Sequence, residues 1–401
     1  MSFVHNQRLK RLPPYLFGQL NEMKLRLRQD GADVIDLGMA NPDQPTPTHI
    51  VDKLIDTVKD PKAHRYSASK GIPGLLRAIC RFYKKRFQID LDWRTEAVAT
   101  IGTKEGLAHL ALALLDPGDF ALVPNPSYPI HTYSVALAGA NVVSVPLGGG
   151  QEEFIQNLED TAAEIWPKPK LLTINFPHNP TALTVSLDIF EAIVRFAKNN
   201  NIIVVHDLAY GDITFDDYRA PSFLQVPGAK EVGIEFYTAS KSYNMAGWRV
   251  GFGLGNHDVI EALSKIKSYY DYGIFTPIQV AASAALDGPQ DCVTDQAKMY
   301  EKRRDVLHKG LTRIGWSVDL PTASMFTWAP IPGIYQEMGS MEFAKMLMEQ
   351  AHVAVAPGIG FGTLGEGWVR LAMVENEHRL RQAIRNIRRC LTKLQPGTTT
   401  P

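Results

Sequence analysis

Between residues 96 and 255 the chain alternates short apolar or β-branched runs with longer helical stretches. The runs fall at 97–101, 120–124, 142–146, 171–175, 202–206, 235–238 and 249–254. Strands separated by a helical segment do not pair as hairpins. The crossover makes neighbouring strands parallel and lays helices on the sheet faces. The pattern therefore predicts an α/β unit with a largely parallel sheet covered on both sides. At 401 residues the chain has ample length for that core and for two to three domains.

The flanks read differently. Leu16, Leu20, Met23 and Leu27 recur at helical spacing and Gly31 follows, so 15–30 is expected to be an amphipathic helix, with a small strand at 34–37 after it. Beyond Pro277 helical character dominates. A long helix is expected through Tyr300 and Arg304, then strands near 317–320 and 325–328. Leu380, Ile384, Ile387 and Leu391 define a closing helix with Asn376 as its N-cap. This is a second, smaller α+β unit. The expected division is an amino-terminal segment 1–45, a large α/β domain 46–285, a small domain 286–395 and a tail 396–401.

Composition excludes several classes. With 42 basic and 42 acidic side chains there is no net charge, against a nucleic-acid or acidic-membrane partner. Cys80, Cys292 and Cys390 are far apart and lack metal-ligand spacing, so neither a disulfide framework nor a metal site is expected, and a reducing cytoplasm fits. No secretory h-region opens the chain and no apolar run approaches the roughly twenty residues of a membrane span. Gly360, Gly362 and Gly365 mimic a dinucleotide-binding fingerprint, but a strand-like stretch from Trp368 follows where a helix is required; the segment reads as a glycine-rich turn.

The run at 202–206 delivers Asp207 and Tyr210 at its carboxyl end, the run at 171–175 delivers Asn179, and the run at 235–238 leads to Lys241. Carboxyl ends of strands are where open α/β sheets bind ligands. An amine, a carboxylate, a phenol and an amide gathered there point to pyridoxal phosphate: Lys241 as the Schiff-base lysine and proton carrier, Asp207 holding the pyridine nitrogen protonated, Tyr210 and Asn179 hydrogen-bonding the phenolate oxygen. Taken alone, each has a structural reading: Asp207 as a helix cap, Tyr210 and Asn179 as packed groups. Tyr128, after Asn125-Pro126-Ser127, offers a flat ring to stack on the pyridine, or else a core aromatic. For the phosphate, Gly102-Thr103-Lys104 turns from a strand into a helix whose free N–H groups suit an anion, and Thr238, Ser240 and Arg249 add donors. The Asn125-Pro126 and Asn179-Pro180 steps are candidates for cis peptides.

These motifs resemble the class I/II aminotransferases, the fold-type-I pyridoxal phosphate enzymes. The likeness runs from Leu12-Pro13-Pro14-Tyr15 through Asn175-Phe176-Pro177-His178-Asn179-Pro180-Thr181-Ala182 to Val369-Arg370-Leu371-Ala372. Within the family, Thr100 to Leu110, Val123 to His131 and Asp271 to Pro277 are similar to the bacterial glutamate-pyruvate (alanine) aminotransferases. The resemblance implies a mostly parallel seven-stranded sheet between helices plus a smaller α+β domain, onto which the amino-terminal segment folds. It implies a homodimer with shared active sites, in which Tyr66 reaches the phosphate bound by the neighbouring subunit. Arg370 matches the arginine that grips the substrate α-carboxylate, with an edge-strand surface charge as its other reading; Ala40 stands where the family glycine offers an amide to the same carboxylate. Tyr15 and Lys104 match positions implicated in substrate binding and are the candidates for meeting a distal carboxylate; otherwise they are a packed tyrosine and a solvent lysine. Substrates are then amino acids and 2-oxo acids. LL-diaminopimelate, aspartate or methionine aminotransferases and β-eliminating lyases share the core chemistry, and a non-catalytic regulator of the same fold is the alternative from another class.

Overall fold

The computed structural model describes residues 7–14 and 16–393. Its strands, in chain order, are β1 (Ile35–Asp36), β2 (Ala97–Thr100), β3 (Phe120–Asn125), β4 (Asn141–Pro146), β5 (Leu171–Ile174), β6 (Ile203–Asp207), β7 (Gly233–Thr238), β8 (Gly251–Gly255), β9 (Phe326–Pro330), β10 (Val353–Ala354), β11 (Ala356–Pro357) and β12 (Trp368–Ala372). Seven of them form one sheet in the order β2-β8-β7-β6-β5-β3-β4. The run from β7 to β4 is parallel throughout, and only β8 runs antiparallel, to both β7 and β2.

Side-chain alternation loads both faces of this sheet. Leu122, Leu172, Val204 and Phe252 point to one side, against Ile79, Phe82, Phe190 and Ile193 from the helices Pro73–Phe87 and Leu187–Asn200. Their strand neighbours Ala121, Val123, Val205 and Phe236 point to the other, against Leu107, Leu110, Ile260 and Leu263 from Thr103–Leu114 and His257–Tyr270. Burial of both faces is why β2, β5 and β7 carry no exposed position and why these runs read as apolar. The edge strand β4 is the exception, with most positions partly or fully exposed.

A separate core gathers Tyr300, Leu307, Met325, Phe343, Leu347, Leu371, Leu380 and Ile384. It is roofed by the helices Asp291–Arg313, Gly339–Ala351 and Glu377–Lys393, and floored by the antiparallel sheet β11-β12-β9. Asn376 caps the last helix, its Oδ1 accepting from Arg379 N at 3.0 Å. The amino-terminal segment joins this part: β1 pairs in parallel with β10, and Ala372 N donates to Leu37 O at 2.7 Å.

Some sequence expectations shift. The helix expected at 15–30 is Leu16–Gln29 in the described residues, and Gly31 follows at φ +86°. Only Ile35 and Asp36 of 34–37 form a strand. Residues 317–320 are not a strand. Val318 is buried but Leu320, which a strand would place on the same face, is exposed; no described strand lies alongside to pair with them, and Pro321 follows. The glycine-rich segment is two 3₁₀ turns, Gly358–Phe361 and Thr363–Gly365. The tail 396–401 lies outside the described residues. Among the described residues no helix is long and apolar enough to cross a membrane.

Candidate active site

The parallel strands bring their carboxyl ends to one rim of the large sheet, and the residues that follow them converge there. Because β8 is antiparallel, its amino end reaches the same rim. That reversal puts Arg249 opposite Gly102 and Thr103. A cleft of about 560 Å³ opens at this rim, bounded by Ala40, Thr103, Lys104, Tyr128, Asn179, Asp207, Tyr210, Thr238, Ser240, Lys241, Arg249 and Arg370. Volume alone does not single it out. A cleft of about 760 Å³ lies behind it, between Arg86, Asp212, Tyr218 and Glu301, without a comparable set of reactive groups.

Lys241 stands on the one-turn helix Ala239–Ser242, which Thr238 caps through its hydroxyl. Its Nζ donates to Ala40 O at 2.7 Å. Burial first, then the Arg370 and Arg249 cations, push its amine from the usual lysine range down to about 7. A substantial neutral fraction is thus available near physiological pH.

Asp207 is 3 % exposed. One oxygen lies 3.1 Å from His131 Nε2, whose Nδ1 is in turn 3.1 Å from Ser127 Oγ. The other, Oδ1, is buried with no hydrogen-bond partner. A carboxylate oxygen in that state is costly unless a ligand supplies a donor. Tyr210 is fully buried, packed edge-on to Phe326, and burial raises its phenol above the usual tyrosine range.

The anion end is formed by Gly102, which has φ +74° and precedes Thr103–Leu114. No side chain caps that helix start, so its first N–H groups remain available. A Cβ on Gly102 would collide with the Arg249 guanidinium, so only glycine lets that guanidinium lie against the backbone here. Arg249 itself takes φ +57° and is held by Nη1 donating to Ala246 O at 2.8 Å. Thr238 and Ser240 line the same end, their hydroxyls 2.9 Å apart.

Arg370 resolves the choice left open by sequence. Its strand β12 is the central one of three, and the side chain is 6 % exposed. Phe326 and Phe361 flank the guanidinium at 4.9 and 4.7 Å. Nη1 donates to Asn179 Oδ1 at 2.7 Å and Nη2 to Gly38 O at 3.1 Å, while Nε is buried without a partner. The surface-charge reading is corrected: this is a buried cation with no carboxylate against it among the described residues, which burial alone would discourage.

Other expected residues fall elsewhere. Lys104 is exposed at the mouth of the cleft. Tyr66 is absent from its lining: it is 86 % exposed and packs at a tilt on Tyr272, ring centroids 4.5 Å apart. Tyr15 lies outside the described residues. Both Asn-Pro candidates are cis, as are Trp166-Pro167 and Phe176-Pro177.

Sequence reasoning missed two supports. Asn175 Nδ2 donates to Asp207 O at 2.5 Å and its Oδ1 accepts from Asn179 N at 2.8 Å, tying two strand ends together. His131 was visible only as a histidine among the apolar Ile130, Val135 and Ala138 of its helix. Glu105, His109 and Asp271 form the one grouping of metal-type ligand atoms among the described residues. The Lys267 ammonium already sits there, 3.1 Å from Glu105 and 3.0 Å from Asp271.

The geometry has counterparts among known proteins. Residues 32–387 match the family described as "Aminotransferase class I and II". The glutamate-pyruvate aminotransferase AlaC of Escherichia coli (strain K12) is 56% identical over 95% of this chain and 92% of its own length. An LL-diaminopimelate aminotransferase of Moorella thermoacetica is 43% identical over 97% of this chain and 99% of its own. Among solved structures, a substrate-bound BacF structure from Bacillus subtilis superposes with a TM-score of 0.89 at 34% identity, covering 96% of this chain and 97% of that one.

Proposed function

The chain belongs to the class I and II aminotransferases, and on that premise we propose that it uses pyridoxal phosphate to exchange an amino group between glutamate and pyruvate. The observation that carries the cofactor is Asp207 Oδ1, a buried carboxylate oxygen lacking a donor, in the same cleft as the amine of Lys241. The Arg249 guanidinium, packed on Gly102 beside an uncapped helix start, suits a phosphate at the other end. The residues present therefore suit the group. When bound, it would supply an electrophilic carbon for nitrogen and a ring that draws electrons from the substrate Cα.

The protein groups then divide the work. Asp207, steadied by His131 and Asn175, would keep a proton on the ring nitrogen. Tyr210 and Asn179 would hydrogen-bond the phenolate oxygen, and Tyr128 would provide a stacking face. Arg249, Thr238, Ser240 and the first N–H groups of Thr103–Leu114 would hold the phosphate. Arg370 would take the substrate α-carboxylate through two parallel hydrogen bonds, its plane already set by Phe326, Phe361 and Asn179. The Ala40 amide remains available beside it. Lys241 Nζ, near neutrality and freed from Ala40 O, would remove the proton from the substrate Cα.

The likeness to AlaC supports the glutamate and pyruvate pair; the 43% identity to an LL-diaminopimelate aminotransferase favours that substrate as the second reading. Lys104 at the mouth and the Tyr15 position are the proposed contacts for the distal carboxylate of glutamate. We also propose a homodimer with composite sites. The wide separation of Cys80, Cys292 and Cys390 along the sequence is the ground on which a reducing, cytoplasmic setting is proposed. Purified enzyme with glutamate should turn over pyruvate faster than oxaloacetate, and Lys104→Met should weaken glutamate and 2-oxoglutarate more than alanine and pyruvate. No turnover of alanine, with activity on LL-diaminopimelate, would move the assignment to the second reading.

A further inference from the structure

Asp212 takes no part in the chemistry described above, yet its carboxylate is buried directly behind the cleft, with the side chain 1% exposed. It lies on the turn that follows Asp207 and Tyr210. Its Oδ2 accepts from the Ser242 hydroxyl at 2.5 Å and from the Tyr237 phenol, and those two hydroxyls are 3.0 Å apart. Its Oδ1 faces the Arg86 guanidinium in an ion pair. Arg86 arrives from the helix Pro73–Phe87 and also donates from Nη2 to Gly211 O at 2.8 Å.

Each hydroxyl partner adjoins a site residue. Ser242 directly follows Lys241, and Tyr237 directly precedes Thr238 at the end of β7. One carboxylate thus joins the segment carrying Asp207 and Tyr210 to the segment carrying Thr238 and Lys241. The helix bearing Lys241 spans only Ala239–Ser242. One turn of helix has no stability of its own, so its orientation depends on tertiary contacts. A buried carboxylate that takes two hydroxyl donors on Oδ2 and a cation against Oδ1 is held from both sides, and removing one partner disturbs the others.

We propose that Asp212 is a positioning residue for Lys241, holding the lysine-bearing turn in register with the Asp207–Tyr210 turn through Ser242 and Tyr237. The inference rests on Lys241 as the reacting amine and is independent of which substrate pair is used. The alternative is a hub that contributes only stability. The groups that face Lys241 from the surrounding elements are the cations Arg370, Arg249 and Lys104, and Asp207, Tyr210 and Tyr128. A lysine turn released from Asp212 lets the amine move away from the two arginines and toward water, so its protonation changes; a loss of stability alone leaves the folded molecules with the same amine.

The test compares wild type with Ser242→Ala, which removes one hydroxyl and keeps the Arg86–Asp212 and Tyr237–Asp212 contacts, and with Asp212→Asn. The first measurement is made without cofactor or substrate: acetylation of Lys241 by acetic anhydride as a function of pH, read by peptide mass. Wild type should be half-maximal near pH 7, and Ser242→Ala should move that point upward. The second is kcat per cofactor-loaded site, expected to fall about tenfold or more in Ser242→Ala, the scale of a modest misplacement of a reacting group, with KM within about twofold. An unmoved labelling profile or an unchanged kcat per site overturns the proposal. If Asp212→Asn does not fold, Ser242→Ala alone decides. Because the labelling needs neither cofactor nor substrate, failure of the glutamate–pyruvate reading leaves its result intact and the two failures stay distinguishable.

Discussion

Arg370 and Lys241 both lie in the cleft without a carboxylate partner among the described residues, and each is tuned by what surrounds it. Arg370 is planar, buried between two rings and aimed by Asn179, so a lysine in its place loses both the second hydrogen bond and the stacking. Arg370→Lys should lower kcat/KM about a hundredfold, the order expected from losing a charged hydrogen bond of about 1.5–3 kcal/mol, with much of the change in KM; steady-state kinetics with the amino donor reads it. For Lys241 the depressed amine has a consequence for stability. Below about pH 7 the lysine is charged in both the folded and the unfolded chain, and the fold carries the full cost of holding a partly buried ammonium near Arg370 and Arg249. Between about 7 and the unperturbed lysine value the unfolded chain binds the extra proton, so stability of the cofactor-free protein rises with pH through that window. Lys241→Met should therefore melt higher than wild type near neutrality, and the gap should close as pH is raised toward 10, as followed by thermal melts of the apo protein. A gap that widens with pH would contradict the sign.

At the scale of elements, the site depends on strand direction and on helix starts. One antiparallel strand in an otherwise parallel sheet brings Arg249 to the rim where the other strands end, facing the uncapped start of Thr103–Leu114. Gly102 is where these two elements approach each other. Gly102→Ala would impose a Cβ at φ +74° and against the Arg249 guanidinium, a strain of order 1–3 kcal/mol. We expect weaker pyridoxal phosphate binding, by about tenfold or more on that scale, with the far-UV circular dichroism unchanged; fluorescence titration of the apo protein measures the first. Unaltered affinity would mean that phosphate binding does not depend on this close approach of Arg249 to Gly102.

For the whole molecule, exposure points outward from the site. Tyr66, Tyr269 and Tyr272 are 86%, 85% and 63% exposed, and Tyr66 packs at a tilt on Tyr272 instead of lining the cleft of its own chain. That arrangement fits a ring contributed to a second copy. Mixing Tyr66→Ala with Lys241→Ala, each nearly inactive, should restore activity in hybrid dimers, each with one intact site. Random exchange gives about a quarter of the wild-type sites for two-fold dimers. Activity that stays at the level of the parents after subunit exchange, or a fully active monomer in sedimentation, would exclude composite sites.

What could be read from the sequence alone was set by local physics. Period and spacing located all seven strands of the large sheet to within two residues, and the helix with Asn376 at its start, because burial on two faces and capping leave marks on consecutive residues. Lys241, Asp207, Tyr210 and Asn179 were legible because each follows a strand end. The strands β10 and β11 were not, since two residues carry no period, and 317–320 alternates like a strand without a neighbour to pair with. Tertiary structure alone decided that Arg370 is buried and central, that Asp207 keeps one oxygen without a donor while His131 takes the other, and that Asp212 reaches Ser242. Those facts depend on residues tens to hundreds of positions apart arriving at one place, and hydrogen bonding between them leaves no periodic trace along the chain.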